Sequence, residues 1–461
     1  MKHLILGNGP AGVIAAETLR KSDPSCEITM VGAENAPPYS RMAIPYLLEG
    51  NIQEDGTYLR KDADHYGSKN ITNKVGKAVS VDAEAKTVKF EDGSSESYDK
   101  LLVATGSHPI RPPIPGIDLP DVHTCWTLDD ARAIANISAS GKRVVQVGAG
   151  FIGCIILEAL AKRGVDLTVV ELGDRMVPRM MTGKAGAMIK DWVENKGVRV
   201  VTSAKVERID GAGGAPVAAP AQSSGGIIGA IKSLFGGGSD AAPAAVAASG
   251  DGMVVTLSTG EKIECDLVIM SAGVRPNSAF LDGSGVKTGN GILTDLKMQT
   301  SISDIYAAGD VVEAPDMFTG APMVSAIQPN AADTARVAAL NMAGKSTEHQ
   351  GILAINVLDT LGLISSSFGA WEGLEGGEGV EYADARAHKY ISLQFKGDVL
   401  VGATSVGLTQ HVGVMRGLIQ GKVKLGERWR AELMNDPLKV TEAYLACSQK
   451  PGVLNVASLN I

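Results

Sequence analysis

The sequence predicts an α/β protein: two parallel-sheet β-α-β domains of like design in tandem, followed by a smaller C-terminal α+β domain. Three observations lead there. A glycine-rich turn between an apolar strand and an apolar-faced helix occurs twice, at 7–12 and 148–153. Each copy is followed by an alternating hairpin and then a continuous apolar run, KTVKFEDGSSESYDKLLVATG in the first half and MVVTLSTGEKIECDLVIMSAG in the second. The 55 glycines among 461 residues are nearly twice the usual share of about 7%, while aromatic residues make up only 4%. That composition suits many tight strand-to-helix turns.

In the first copy, His3–Leu6 is a short apolar run ending in Gly-Asn-Gly-Pro-Ala-Gly. Val13, Ile14, Ala16 and Leu19 then recur at helical spacing, and Glu27–Val31 reads as a second strand. Gly7, Gly9 and Gly12 have separate physical duties. The first allows a tight turn, the second lets the backbone approach a pyrophosphate, and the third lets helix pack on strand. Pro10 suits the first helical position. Glu34, 22 residues beyond Gly12, stands where a carboxylate can accept from a ribose. The second copy repeats this with VVQV, Gly148-Ala149-Gly150-Phe151-Ile152-Gly153, an apolar helix and DLTVVE. Its strand ends in Glu171, 18 residues past Gly153. A carboxylate there accepts ribose hydroxyls and repels a 2′-phosphate, which favours NAD(H) over NADP(H). Both domains are therefore expected to be Rossmann-like. Two dinucleotide sites in one chain suit one tightly held redox dinucleotide and one exchangeable one whose reactive rings meet.

The second copy is interrupted at 211–251, where thirty of 41 residues are Ala, Gly, Ser or Pro. This reads as a flexible insertion, with GIIGAIKSLFG inside it as either one sticky helical turn or a tethered docking helix. Beyond about residue 345 the pattern changes. Lys389–Phe395 and Val399–Ser405 read as strands, and the tail from Thr409 onward as helices.

Charge and cysteine usage exclude other classes. A net charge of −8 argues against nucleic acid or anionic lipid as the main partner. The five scattered cysteines form no CxxC pair, so neither a disulfide scaffold nor a locally spaced zinc or iron–sulphur site is readable, and the seven histidines are equally dispersed. No apolar stretch reaches the roughly 18 residues of a membrane span. The N-terminus, with glycines interrupting its apolar run, reads as folded structure, and the expected location is the cytoplasm.

With these motifs in order, the chain resembles the FAD-dependent pyridine nucleotide–disulfide oxidoreductase superfamily. The resemblance rests on the two glycine fingerprints, YDKLLVATGSHP at 98–109, DLVIMSAGVRPN at 266–277, TSISDIYAAGD at 300–310 and the helix AADTARVAALNMAG at 331–344. It implies that the N-terminal fingerprint holds FAD and the central one NAD(H). It implies an FAD-binding domain at 1–115 and 285–344, an NAD-binding domain at 116–284, and a C-terminal α+β interface domain at 345–461, which in the family commonly forms homodimers. It further implies that Gly309 and Asp310 meet the FAD ribitol or pyrophosphate, and that Ala104, Thr105 and Gly106 pass near the pyrophosphate. Ala78 would meet the adenine, plain strand packing being the other reading. Ala272 and Gly273 would pass near the nicotinamide nucleotide.

The segment PPYSRMAIPYLLEG at 37–50 is similar to the NADH oxidase, coenzyme A disulfide reductase, nitrite reductase and rubredoxin reductase branches. In the disulfide-reducing branches a redox cysteine stands there, where this chain has Met42. A thioether forms neither thiolate nor sulfenic acid. Arg41 remains, as a contact to the FAD phosphates or ribose or as a surface salt bridge. Relatives place a glutamate two residues after the third glycine; this chain has Ile155, with Glu158 one turn later. Without the thiol, electrons taken from NADH pass to oxygen or singly to a one-electron centre. The chain has no iron–sulphur motif, so that centre belongs to a partner protein or subunit. The tail RWRAELMNDPLKVTEAYLA resembles those of NAD-linked flavoprotein subunits serving aldehyde:ferredoxin-type or phenylglyoxylate dehydrogenases. The expectation is an NAD(H)-dependent FAD oxidoreductase subunit exchanging electrons, in either direction, with an iron–sulphur partner. The alternatives are a free-standing NADH oxidase or a disulfide or nitrite reductase-type flavoenzyme, and a protein that holds FAD without turnover.

Overall fold

The protein is described from a computed structural model covering residues 1–211 and 252–448. The insertion, apart from Gly211, lies outside the described residues.

The first module is a parallel sheet in the order Ile305–Ala307, Lys100–Val103, Lys2–Leu6, Glu27–Gly32, Ile71–Val75. Leu4, Ile5, Leu6, Leu101, Leu102 and Val103 are buried on both faces, which explains their continuous apolar runs. The helix Pro10–Ser22 covers one face. It lies against the long helix Gln328–Met342, where Ala11, Ala15, Ala335 and Ala338 are all buried and let the backbones approach. The second module repeats the order: Val122–Thr124, Leu267–Met270, Arg143–Val147, Asp166–Val170, Arg199–Val201. The closing strand differs. Ile305–Ala307 follows the second module in the chain, whereas Val122–Thr124 precedes it, so the first module is built from two separate stretches. Each module carries a three-stranded antiparallel flap, Ala78–Asp82 with Thr87–Phe90 and Ser95–Ser97, and Val206–Gly211 with Met253–Leu257 and Lys262–Cys265. The modules are joined by a two-stranded antiparallel ribbon, Ser107–Pro109 against Val274–Pro276.

The C-terminal domain is an antiparallel sheet in the order Ile355–Thr360, Leu363–Gly369, Val399–Val406, Lys389–Lys396, Glu378–Asp384. The two strands expected from the sequence are the two with clear apolar runs. Of the other three, Ile355–Thr360 is broken by Asn356 and Asp359, Leu363–Gly369 by three serines and Glu378–Asp384 by acidic residues, so none shows a clear apolar run, yet Ser365, Ser366 and Ser367 are fully buried. One face carries the helices Val412–Gln420 and Val440–Ser448. The other packs on the second module, where the Thr182 hydroxyl donates to the Tyr390 phenol oxygen at 2.9 Å and the Trp192 indole to the Leu361 carbonyl at 3.1 Å.

His3 sits in the first strand, fully buried, with both ring nitrogens lacking hydrogen-bond partners. Burial, aided by the nearby Lys100 charge, lowers its pKa from 6.5 to about 4. The unfolded chain therefore binds a proton that the folded one refuses between those two values, and stability falls as pH drops through that window. Acidification across it should remove up to about 3 kcal/mol. Urea unfolding midpoints measured over that range should show this loss in the native protein and a flatter profile in His3→Leu.

Candidate functional site

Both glycine loops are forced by close packing. Gly7 has φ +108°, and a Cβ on it would lie 2.1 Å from the Ala104 carbonyl oxygen; one on Gly12 would lie 1.9 Å from the carbonyl oxygen of Gly7. Gly148, with φ +105°, has the same relation to the Ser271 carbonyl at 2.4 Å, and Gly153 to that of Gly148 at 2.4 Å. Between them, Gly9 and Gly150 face open space, with nothing within 4 Å of a built Cβ. Each is the N-cap of its helix, offers no side-chain cap, and is followed by a first turn without acidic residues. The N-terminal amides and helix dipole are therefore left available for an anion. The structure brings the two loops to equivalent places in two like modules.

The first loop opens on a cleft of about 1420 Å³. This exceeds the roughly 300–1,000 Å³ of ordinary small-molecule pockets and has room for an extended dinucleotide. Gly7, Gly9, Pro10, Glu34, Arg41, Ala78, Ala104, Thr105, Gly106, Gly309 and Asp310 all line it. Gly12 lies behind the loop, where it packs helix on strand. Phe151 and Ile152 of the second fingerprint reach the same cleft, as do Ile155, Met42, Ile44 and Pro45, so part of its lining is apolar. Gly148, Gly150, Gly153, Glu171, Ala272 and Gly273 stand beyond it, on the second module's side. Gly273, at φ +104°, accepts from the Ile110 amide at 2.8 Å and ties the ribbon to the second module.

A polar chain runs along the cleft. Arg41 pairs with Glu34 at 2.5 Å, lies over the Tyr39 and Trp126 rings at 5.5 and 5.3 Å, and donates to the Trp126 carbonyl at 2.5 Å. Tyr39 donates to Glu34 at 2.6 Å, and burial pushes its hydroxyl pKa up. The Trp126 indole donates to the Ser107 carbonyl at 3.0 Å, and the Ser107 hydroxyl to Asp310 at 3.2 Å. Desolvation raises the Asp310 carboxyl above the usual carboxylate range, with Ser107 and Arg41 pulling it back. Arg41 thus makes the salt bridge that was the alternative reading, and makes it inside the cleft, to the carboxylate expected to meet a ribose. Glu171, 8% exposed, accepts from the Ala149 amide at 2.6 Å and the Gly173 amide at 2.7 Å. Glu158 turns away from the cleft. It accepts from the Leu361 amide at 3.1 Å and pairs with Lys162 at 2.7 Å.

Three features escaped the sequence reading. Asn277 rivets the two interdomain strands. Its side chain donates to the Thr105 carbonyl at 2.9 Å, its amide donates to that of Gly106 at 2.9 Å, and its carbonyl accepts the Thr105 hydroxyl at 2.8 Å. Trp126, in a segment without periodicity, is brought over Arg41 by the fold. Cys125, 83 residues from Met42 in sequence, lines the same cleft. Burial pushes its thiol up to about 12, which favours the protonated thiol over the thiolate at neutral pH.

Two helix ends with open amides and one large cleft lined from both modules are the features of an oxidoreductase that brings two dinucleotides together. The chain belongs to the pyridine nucleotide-disulphide oxidoreductase family, whose model matches residues 1–336. It is 31% identical over 443 residues to the NADH-dependent phenylglyoxylate dehydrogenase subunit epsilon of Aromatoleum evansii, covering 95% of this chain and 96% of that one. It is 32% identical over 363 residues to an NADH oxidase of Methanocaldococcus jannaschii, covering 77% and 72%. Its fold is that of a ferredoxin reductase from Rhodopseudomonas palustris, with TM-score 0.79, 24% identity and coverage of 96% and 99%. The protein is an NAD(H)-dependent flavoenzyme with FAD and NAD(H) as cofactors. The residues present fit both groups: each glycine loop is open where a phosphate must approach, and the cleft has the volume for a dinucleotide.

Gly9→Ala and Gly12→Ala should separate binding from folding. The first places a methyl in open space where φ is −73°, so the melting temperature should hold while FAD content falls. The second drives a methyl into the Gly7 carbonyl and should cost stability, about 1–3 kcal/mol or more. Thermal melts read beside flavin absorbance check both.

Proposed function

We propose that this chain is the NADH-linked flavoprotein subunit of a larger redox enzyme, exchanging electrons with an iron–sulphur partner. The observation that carries the reading is the apolar part of the cleft lining, to which Met42, 43% exposed, contributes with Ile44, Pro45 and Ile155. Among the described residues the only thiol lining that cleft is Cys125, which burial holds protonated. A thiol relay to a disulfide substrate has no thiolate to begin from. Bound in the cleft, FAD supplies exchange of a hydride with NAD(H) and single-electron exchange with another centre. In this reading Gly7, Gly9, Pro10 and Gly12 shape the loop that takes the FAD pyrophosphate. Ala104, Thr105 and Gly106 border it, Ala78 lies against the adenine, Glu34 with Arg41 holds the ribose end, and Gly309 with Asp310 holds the ribitol. Gly148, Gly150, Phe151, Ile152, Gly153, Ala272 and Gly273 take the nicotinamide nucleotide, with Glu171 opposing a 2′-phosphate. Ile155 and Phe151 exclude water from the ring contact, where proximity and orientation matter more than a side-chain acid.

The division at 1–115 with 285–344, 116–284 and 345–461 belongs to the same proposal. So does a cytoplasmic location, which suits the five free cysteines; among the described residues no helix is long and apolar enough to cross a membrane. End-to-end similarity to a subunit of an NADH-dependent dehydrogenase supports the partner. The similarity to an NADH oxidase keeps oxygen as the competing acceptor.

Anaerobic mixing with NADH should bleach the flavin, and an iron–sulphur protein should restore its colour at least about tenfold faster than air or a disulfide does. Turnover with oxygen at the partner's rate overturns the reading. Cys125→Ala should retain at least about half of the NADH-driven reduction of a one-electron acceptor, because a protonated thiol carries no electrons. A collapse of that rate with flavin content intact would restore a thiol mechanism.

A further inference from the structure

Gln146 lies in the strand Arg143–Val147, 0% exposed, among apolar neighbours. Its side-chain amide nitrogen donates to the Gly148 carbonyl at 3.0 Å and to the Gly153 carbonyl at 2.9 Å, the two ends of the second glycine loop. Its own carbonyl oxygen has no partner. From the other side Glu171 accepts the Ala149 amide at 2.6 Å. The loop is therefore held from beneath by an amide and from the next strand by a carboxylate.

The first module has neither tie. The position two residues before Gly7 is Ile5, which offers no hydrogen bond; the residue in register with Glu171 is Gly32, which has no side chain, and the Glu34 carboxylate further on is bonded to Tyr39 and Arg41. The spacing differs accordingly. A Cβ on Gly12 would lie 1.9 Å from the Gly7 oxygen, whereas one on Gly153 would lie 2.4 Å from the Gly148 oxygen, with the Gln146 nitrogen 3.1 Å away in the space thus opened. The first loop is set by backbone contacts, with its own Asn8 side chain lying over Gly32 and donating to Asn73 at 3.4 Å, whereas the second is held by two buried polar side chains that reach it from neighbouring strands.

We propose that Gln146 is a positioning residue for the nicotinamide coenzyme: with Glu171 it holds the 148–153 loop, before the coenzyme arrives, in the shape that presents the free amides of the helix Phe151–Lys162 to a pyrophosphate. The asymmetry follows from use. A resident dinucleotide orders its loop once, whereas an exchanging one meets the ordering penalty at every turnover, so a pre-ordered loop raises its affinity directly.

Gln146→Met keeps the volume and removes the donor. Calorimetric titration of the FAD-loaded protein with NAD+ and with ADP-ribose should show affinity lower by about fivefold or more, and KM for NADH should rise with kcat unchanged. FAD content and melting temperature should stay at the native values, and amide exchange at 149–152 in the coenzyme-free protein should quicken. Gln146→Glu, which puts a carboxylate against the two carbonyls, should weaken coenzyme binding further than Gln146→Met. Affinity within about twofold of native in Gln146→Met, or a parallel loss of FAD, overturns the proposal; the latter would mark Gln146 as a general structural residue.

Discussion

Gly7 rests its α-carbon against the Ala104 carbonyl, and Gly148 rests its own against that of Ser271, at distances no side chain tolerates. These two contacts set how each chain leaves its first strand, hence where the following helix begins and what its free amides face. Everything that takes a dinucleotide depends on them. The sheets carry the loops, Gly12 and Gly153 let the helices lie close, and the cleft opens where Gly9 has nothing in front of it. Elsewhere on the surface such unsatisfied amides would be a defect; here they face the cleft that suits a dinucleotide.

Around that constraint the rest of the chain solves a problem of relative placement. Two Rossmann-like modules are useful together only if their open ends share a boundary. The ribbon Ser107–Pro109 with Val274–Pro276 links them, and Asn277 bonds backbone atoms of Thr105 and Gly106 across it. The C-terminal sheet braces the second module through Tyr390 and the Leu361 carbonyl. Glu158 is drawn into that brace, which explains why a carboxylate so near the fingerprint is absent from the cleft.

The chemistry is set as much by what the cleft withholds as by what it holds. Met42 offers no thiolate, and Cys125, brought in by the fold, is desolvated into inertness. Arg41 and Glu34 neutralise one another between two aromatic rings, so the cleft holds a fixed dipolar pair in place of a bare cation. A site of this kind suits transfer between two stacked rings and onward to an external centre, rather than covalent catalysis by the protein.

The modules, their glycine loops and the apolar strands at their centres were legible because each is a local pattern: a periodicity, a turn that only glycine makes, a carboxylate at a fixed offset. The strands at 355–360, 363–369 and 378–384 were not: the serines of the second take their burial from the sheet they join, and the third is a largely exposed edge strand with no apolar run of its own. Nor could spacing show that Cys125 reaches the cleft that Met42 lines, that Trp126 meets Arg41, that Glu158 faces away, or that Gln146 reaches both ends of a loop. What the sequence alone determined is which backbone segments turn on glycine and leave helix-terminal amides open, since that rests on steric freedom within a few residues. Which side chains meet across the cleft was decided only by tertiary structure, since distant segments come into register through the packing of whole sheets and helices.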